Sequence, residues 1–184
     1  LKIQIHPHFL FNTLNTMYGL ALKKAAQTPD MILKLSNLLD YLLYQTEKPL
    51  VSISEEIEHI EDYIALEKMR FNDTLNVSMD VKLASEHTTI APMLLLPFVE
   101  NSFKHGSITN GVLQIYIEIK ATMEVVHFRI KNSNANDTPT QGGIGLDNIK
   151  KRLQLLYPNK HKLTIDNNED EFVVYLQLKI TPNV

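Results

Sequence analysis

Two histidines flank a proline near the start of the chain, in the stretch QIHPHFLFN at residues 4–12. Proline is tolerated in the first turn of a helix, where its missing N–H has no partner to lose, so Pro7 indicates that a helix begins or kinks here. At about 100° per residue, His8 falls on the polar face of this helix. A neutral imidazole on that face can act as a nucleophile, although histidines in such positions are more often solvated surface residues.

Metal binding by the two histidines is disfavoured, because a helix carries side chains at i and i+2 to different faces and His6 and His8 could not easily share an ion. The chain has no cysteine, which excludes thiolate metal sites and a disulfide scaffold. The predicted apolar stripe of the helix consists of Leu10, Leu14, Met17 and Ala21.

A second set of polar side chains lies in the segment VENSFKHG, residues 99–106. Glu100 and Lys104 stand at i and i+4, and so do Asn101 and His105, so one side of a helix would carry a compact polar group. Carboxylate and amide oxygens suit Mg²⁺, and a lysine suits phosphate as a point charge. The same pattern is also typical of a solvated helix face.

Three glycines, Gly142, Gly143 and Gly145, stand just before a predicted helix in GGIGLDNIKKRL. Glycine lets a backbone approach phosphate closely, and the exposed N–H groups at a helix N-terminus attract anions. A glycine cluster alone more often marks a turn than a nucleotide loop. A Rossmann site is excluded, because the required alternation of strand, helix and strand is absent.

The composition fits one large or two small domains, since 184 residues with 44% hydrophobic content can bury a sizeable core. The net charge of -3 and the absence of a Lys/Arg block argue against a nucleic-acid or anionic-membrane surface. The longest apolar run, MLLLPFV, is too short to span a bilayer. Because the opening residues LKIQI already look helical, we expect the chain to be a fragment that lacks upstream sequence.

The first part of the chain reads as helical throughout. One helix is predicted from about Pro7 to Ala26, a second follows the turn signal QTPD, and a third begins at the capping box of Ser52 and Glu55. Antiparallel helices joined by short loops form a hairpin or bundle. A single hairpin leaves apolar surface uncovered, so we expect a homodimer.

The second part of the chain alternates like half-buried strands. Five strands are predicted, in NVSMDVKL, LQIYIEIKATM, VVHFRIKN, KLTIDNN and EFVVYLQLKI. Two helical segments, PMLLLPFVENSFKHG and GLDNIKKRLQLLY, interrupt them. Strands covered by helices on one side indicate an α+β sandwich, and the change in pattern places the domain boundary near residues 71 to 76.

Together, QIHPHFLFN, PFVENSFKHG and GGIGLDNIKKRL resemble sensor histidine kinases of the LytS-like class, over essentially the whole chain. The resemblance implies a helical dimerisation and phosphoacceptor region at residues 1–72. It implies an ATP-binding catalytic domain of the GHKL (Bergerat-type) superfamily at residues 73–184, with a mixed sheet covered by helices on one face. The implied activity is ATP-dependent autophosphorylation followed by phosphotransfer to an aspartate of a response regulator.

The resemblance also implies a place for the protein and a role for each motif. The chain would be the cytoplasmic domain of an inner-membrane sensor, attached to the membrane only through the missing N-terminal region. His8, and not His6, would accept the phosphoryl group. Glu100 and Lys104 would serve catalysis, Asn101 would hold Mg²⁺, and His105 would contact ATP. The implied nucleotide-binding residues of the glycine-rich lid are Gly143, Gly145, Leu146, Asn148 and Arg152.

One position departs from the family pattern. The family has an Asp-x-Gly sequence whose aspartate reads the adenine amino group, whereas this chain has Asn132, Ser133 and Asn134. An asparagine oxygen still accepts a hydrogen bond, but without the charge that strengthens one. Two alternatives therefore stay open: a degenerate kinase-like dimeric signalling module with weak or no ATP turnover, and a GHKL ATPase or serine kinase.

Overall fold

The computed structural model describes residues 7–44, 48–133, 144–168 and 170–180. Three helices come first, and the first two both pack against the third. They are α1 (Pro7–Leu22), α2 (Thr28–Leu43) and α3 (Ile53–Phe71). The predicted helical region is therefore present, although α1 ends four residues before the expected Ala26.

The start of α3 is fixed by a cap and by a short sheet. The Ser52 side chain accepts a hydrogen bond of 3.1 Å from the backbone N–H of Glu55, as the capping box predicts. Immediately before it, β1 (Val51–Ser52) pairs antiparallel with β3 (Thr89–Ile90). These two-residue strands were not predicted, because an alternating pattern cannot show in so few residues.

The remaining strands form one mixed sheet in the order β2-β4-β5-β7-β6. Strands β2 and β4 run parallel, and the other neighbours are antiparallel. This architecture confirms the predicted α+β class. The five strands are β2 (Leu75–Leu83), β4 (Leu113–Ala121), β5 (Val125–Ser133), β6 (His161–Asn167) and β7 (Glu171–Lys179).

One face of this sheet is buried beneath helices. In β5, Val126, Phe128 and Ile130 are fully buried, and alternate residues of β4 and β7 are buried beside them. Asn132 occupies the next position on this face and is 2% exposed. Its partners in register are Ile115 and Phe172, so it places an amide in an otherwise apolar row.

Helices α4 (Leu96–His105) and α5 (Ile144–Leu156) contact each other, and α4 also contacts β5. The helical pattern predicted a start near Pro92, but the chain turns first and α4 begins at Leu96. Met93 has a positive φ of 55°, which is incompatible with a continuous helix. Pro97 then stands in the first turn, where a missing N–H costs nothing.

The buried face of α1 differs from the predicted stripe. Thr13 and Met17 are buried and Phe9 and Leu10 are partly buried, whereas Leu14 is 47% exposed. The apolar residues of α1 are thus divided between two faces, because only one face meets α3. None of the helices in the described part of the chain is long and apolar enough to cross a membrane.

A continuous apolar stripe remains exposed on the other face of α1. Its members follow helical spacing and are 47–67% exposed. They are Phe11, Leu14, Tyr18 and Leu22. Helix α2 exposes Ile32, Leu33 and Leu43 as well, so the helical pair presents a large apolar surface.

Candidate functional site

Helix α4 presents the polar side chains that the sequence singled out. Glu100 and Asn101 are half-buried near the middle of the helix, and Lys104 and His105 are exposed at its C-terminal end. The apolar residues Phe98, Val99 and Phe103 of the same helix are buried. The apolar face therefore fixes the helix in the core, while the polar residues lie at its edge.

A second buried carboxylate from α3 contributes to the same region. Glu67 is 3% exposed and accepts hydrogen bonds from the Tyr63 hydroxyl at 3.2 Å and from Arg70 Nε at 2.8 Å. The Arg70 guanidinium also lies over the ring of Phe71, 4.4 Å from its centroid. This arrangement holds the side chain of Glu67 in one orientation through two partners on its own helix.

The charge of Glu67 acts on Glu100. Burial and the negative charge of Glu67 together raise the pKa of Glu100 to about 7, although Lys104 opposes the shift. Burial and Glu67 also raise the pKa of Tyr63. Near neutral pH, Glu100 can thus hold or release a proton, which suits a group that works in proton transfer.

Asn132 lies beside the C-terminal end of α4. A Cβ on Gly106 would stand 3.2 Å from Asn132 Nδ2 and only 2.5 Å from the carbonyl oxygen of Ser102, so this corner admits no side chain. The corner is closed by Ser133, whose hydroxyl donates to the carbonyl of Ser107 at 2.7 Å. Asn132 Nδ2 donates to the Ser133 carbonyl, but its buried Oδ1 has no hydrogen-bond partner within the described ranges.

The predicted lid residues in α5 separate into two groups. Gly145 and Asn148 are exposed, and a Cβ on Gly145 would meet nothing within 4 Å. Leu146 is buried in the core, and Arg152 donates from Nη1 to the carbonyl of Met93 at 2.5 Å. Their roles towards a nucleotide stay predictions, and Gly143 lies outside the described residues.

His8 is exposed in the first turn of α1, as its polar position predicted. The side-chain nitrogen of Asn12 lies 3.2 Å from its Nδ1 and 3.3 Å from its Nε2. Asn12 stands one helical turn after His8, a spacing of i and i+4 that is visible in the sequence. The contact between the Asn12 amide and the His8 ring was nevertheless not predicted. The amide can orient the imidazole while leaving the ring accessible to solvent.

Aromatic contacts connect the first turn of α1 to α4. The ring of Phe9, next to His8, stacks on Tyr63 with the centroids 4.7 Å apart. Tyr63 in turn contacts Phe103 of α4 edge-on at 5.5 Å. His8 and the polar residues of α4 therefore belong to one packed unit, separated by the side chains of α3.

Comparison with known proteins identifies relatives of this chain. The family model described as "Histidine kinase" matches residues 1–75. A sensor-like histidine kinase of Staphylococcus epidermidis is 36% identical over 152 residues, which cover 82% of this chain and 28% of that protein. The sensor protein kinase HptS of Staphylococcus aureus is 30% identical and is matched over 91% of this chain and 35% of its own length. The chain thus spans about a third of these curated relatives.

Solved structures agree on the fold. The catalytic domain of the histidine kinase ThkA has a TM-score of 0.52 and 15% identity, covering 73% of this chain and 97% of that domain. The same kinase in complex with the response regulator protein TrrA has a TM-score of 0.50 and 14% identity, covering 96% of this chain and 60% of that one. At such low identity the likeness establishes the fold alone.

We predict that Glu100→Gln stabilises the protein above neutral pH. The pKa of Glu100 lies above its ordinary value of 4.5, so the stabilisation from its proton is complete below that value and is lost as the pH rises through about 7. Glutamine stays neutral at every pH. Denaturant unfolding at about pH 8.5 should show a gain of about 1–3 kcal/mol in the variant, which vanishes near pH 4.5.

The control for this measurement is Glu118→Gln on the opposite face of the sheet. A hydrogen bond from Lys120 lowers the pKa of Glu118, so this variant should show no gain at high pH. Equal stability of Glu100→Gln and wild type at about pH 8.5 would contradict the raised pKa.

Proposed function

Because the chain belongs to the histidine kinase family, we propose that it is the cytoplasmic catalytic part of a two-component sensor kinase of the LytS-like class. ATP phosphorylates His8, and the phosphoryl group then passes to an aspartate of a response regulator. The observation that carries this proposal is the exposed His8 imidazole, oriented by Asn12 and linked to α4 through Phe9, Tyr63 and Phe103.

The proposed chemistry needs little beyond positioning and charge neutralisation. The unprotonated ring nitrogen of His8 attacks the γ-phosphorus of ATP, a nitrogen–phosphorus bond forms, and the bond to the ADP oxygen breaks. The proton on the other ring nitrogen then leaves to solvent. Such transfers depend mainly on alignment and on cations around the phosphates. Lys104, exposed at the end of α4, is suited to approach those phosphates.

Magnesium fits the donor chemistry of α4. Asn101 offers a half-buried amide oxygen, and Glu100 offers a carboxylate one residue before it. The described ranges contain no group of three or more His, Cys, Asp or Glu residues that could hold a metal. Mg²⁺ commonly keeps several waters and binds substrate phosphates, so one or two protein oxygens suffice. Bound there, Mg²⁺ would neutralise the charge of the phosphates.

The hydrogen-bonding chemistry of adenine matches the acceptor that Asn132 offers beside α4. The buried Oδ1 of Asn132 is an acceptor that finds no donor in the described part of the chain, which is costly unless a ligand supplies one. The amino group of adenine is such a donor. This fit favours an ATP-binding kinase over the alternative of a degenerate module. A second GHKL activity, transfer to water or to a serine, is not favoured by a particular contact.

The proposal assigns two partners. The complex of the structurally similar ThkA with TrrA supports a response regulator as phosphate acceptor. The second partner is another copy of this chain, docked on the exposed apolar stripe of α1. We further infer that attachment to a membrane, expected from the resemblance to sensor kinases, is through sequence upstream of residue 1, since the chain spans about a third of the sensor proteins that it matches.

The principal test is autophosphorylation with γ-labelled ATP. We predict base-stable, acid-labile label on the wild type, none on His8→Gln, and none on Asn101→Ala, because the first variant lacks the acceptor and the second lacks the magnesium ligand. Circular dichroism should show that both variants stay folded. His6→Gln is the matched control and should keep its label.

Three results would contradict this assignment. Label that persists in His8→Gln but disappears in His6→Gln would move the acceptor to His6. Acid-stable, base-labile label would indicate a serine kinase. No binding of Mg-ATP at millimolar concentration in calorimetry would leave the degenerate signalling module.

For Asn132, we predict that alanine weakens ATP binding about fivefold and removes the preference for ATP over GTP. The reason is that GTP carries an oxygen where adenine carries the amino donor. Asn76→Ala is the control, since Asn76 bonds to Gln114 on the exposed face of the sheet, opposite to the face that carries Asn132. If Asn132→Ala binds both nucleotides as wild type does, Asn132 does not read the base.

For the homodimer, we predict that Leu14→Glu combined with Tyr18→Glu raises the dissociation constant at least about tenfold, because two charges would be buried in an apolar interface. Sedimentation velocity over a concentration series measures this constant. Leu155→Glu on α5, a residue that is 69% exposed, is the control and should leave the dimer intact. A wild-type chain that stays monomeric at high micromolar concentration would contradict the proposal.

A further inference from the structure

A completely buried carboxylate lies where α2 and α3 meet the segment that begins α4. Glu56 of α3 is 0% exposed. Its Oε1 accepts hydrogen bonds from the backbone N–H groups of Leu95 at 2.8 Å and Leu96 at 3.2 Å. Its Oε2 accepts from the N–H of Met93 at 2.9 Å and from the hydroxyl of Tyr41 in α2. One side chain of α3 therefore connects α2 with the segment that begins α4.

The same segment is held from its other side by α5. Arg152 donates to the carbonyl of Met93 through Nη1 and to the carbonyl of Pro92 through Nη2. The backbone N–H groups of this segment thus donate to the carboxylate of Glu56, and the backbone carbonyls of the same segment accept from the guanidinium of Arg152. Burial lowers the pKa of the Arg152 guanidinium, and the nearby negative charge of Glu56 opposes that shift. Residues 92–96 are fixed by three helices at once.

Glu56 supplies what α4 lacks at its own N-terminus. Leu95 is the N-cap residue, and its aliphatic side chain cannot accept a hydrogen bond from the first turn. The Glu56 carboxylate takes over this role and also places a negative charge at the positive end of the helix dipole. Glu100 and Asn101 follow Leu96 by about one helical turn. Their position therefore depends on a cap that another helix provides.

Tyr41 adds a contact that capping alone does not require. The carboxylate would keep three backbone donors without it. The hydroxyl instead attaches the carboxylate to α2, and the Tyr41 ring stacks on His59 of α3 with the centroids 3.9 Å apart. The hydroxyl also accepts a hydrogen bond of 3.0 Å from the N–H of Met93. A displacement of α2 would thus act on Glu56 and on Met93, and through both on the first turn of α4.

We propose that Glu56 and Tyr41 are positioning residues for the transfer to His8. Glu56 sets the first turn of the helix that carries Glu100 and Asn101, and Tyr41 ties that turn to the phosphoacceptor helices. The nucleotide would be bound at α4, and the phosphoacceptor His8 lies on α1. These two groups keep a productive arrangement only while the hydrogen bond between the Tyr41 hydroxyl and the Glu56 carboxylate exists. This role rests on the proposed function, because it requires nucleotide at α4 and acceptance at His8.

The test separates nucleotide binding from transfer. Tyr41→Phe leaves Glu56 with its three backbone donors, so α4 stays capped and the dissociation constant of Mg-ATP should stay within about twofold of wild type. The initial rate of His8 phosphorylation at saturating ATP should fall about tenfold, because the arrangement of α2 and α4 is no longer fixed. Glu56→Gln should impair both ATP binding and transfer.

The matched control is Tyr157→Phe. The Tyr157 hydroxyl accepts the N–H of Ala91 at 2.8 Å, so it holds the same segment, and its ring is 8% exposed, but the residue follows α5 and not α2. Loss of this hydroxyl should lower the melting temperature as much as Tyr41→Phe does and leave the transfer rate within about twofold. A merely structural role of Tyr41 would instead give equal rates in the two variants.

Each further result decides between the proposals. A labelled wild type with an equally labelled Tyr41→Phe would overturn the positioning role and leave the proposed function intact. A Tyr41→Phe variant whose ATP affinity and transfer rate fall by the same factor would also overturn the positioning role and leave the proposed function intact. A wild type that carries no label on His8 would overturn both proposals.

Discussion

The carboxylate of Glu56 imposes the constraint that the rest of the structure has to satisfy. A fully buried charge is costly unless each of its lone pairs is used, and here four donors converge on it from α2 and from the start of α4. Those donors can meet only if α2, α3 and α4 have a single arrangement. The apolar packing between them makes the structure compact, whereas the carboxylate makes the arrangement specific.

The main elements could be predicted from sequence wherever the determining contacts are local. The alternation of β4 and the capping box at Ser52 are short-range patterns, and both are found in the structure. The start of α4 was not predictable, because Glu56 lies 39 residues before Leu95 and the helical pattern carries no trace of it. The buried face of α1 was also wrong at Leu14, since two apolar faces compete and only packing on α3 decides between them.

The candidate site, like the fold, has features that the sequence predicts and features that only the packed structure reveals. The motifs predict a site on α4, α5 and His8, which stays a prediction, and the comparisons confirm the histidine kinase family that these motifs predicted. Glu67 stands in LEKMRF, which reads as the polar face of an ordinary helix, and its nearly complete burial is visible only in the packed structure. Long-range electrostatics such as its effect on Glu100 cannot be read from spacing along the chain.

Several unfavourable groups in the described part of the chain lie along α4 or beside it, and one more, the buried and unpartnered Nδ1 of His59, lies on α3. Glu100 carries a raised pKa, Ser102 Oγ is buried without a partner, and Asn132 Oδ1 is buried in the same condition. Each of these groups lowers the stability of the free protein, and an apolar residue in each position would avoid that cost. Their common location is what a ligand-binding surface requires, because a ligand that supplies donors and cations recovers the cost only when it binds. Glu56 and Arg152, whose polar atoms are satisfied by the protein itself, hold the adjoining segment and keep that surface in place.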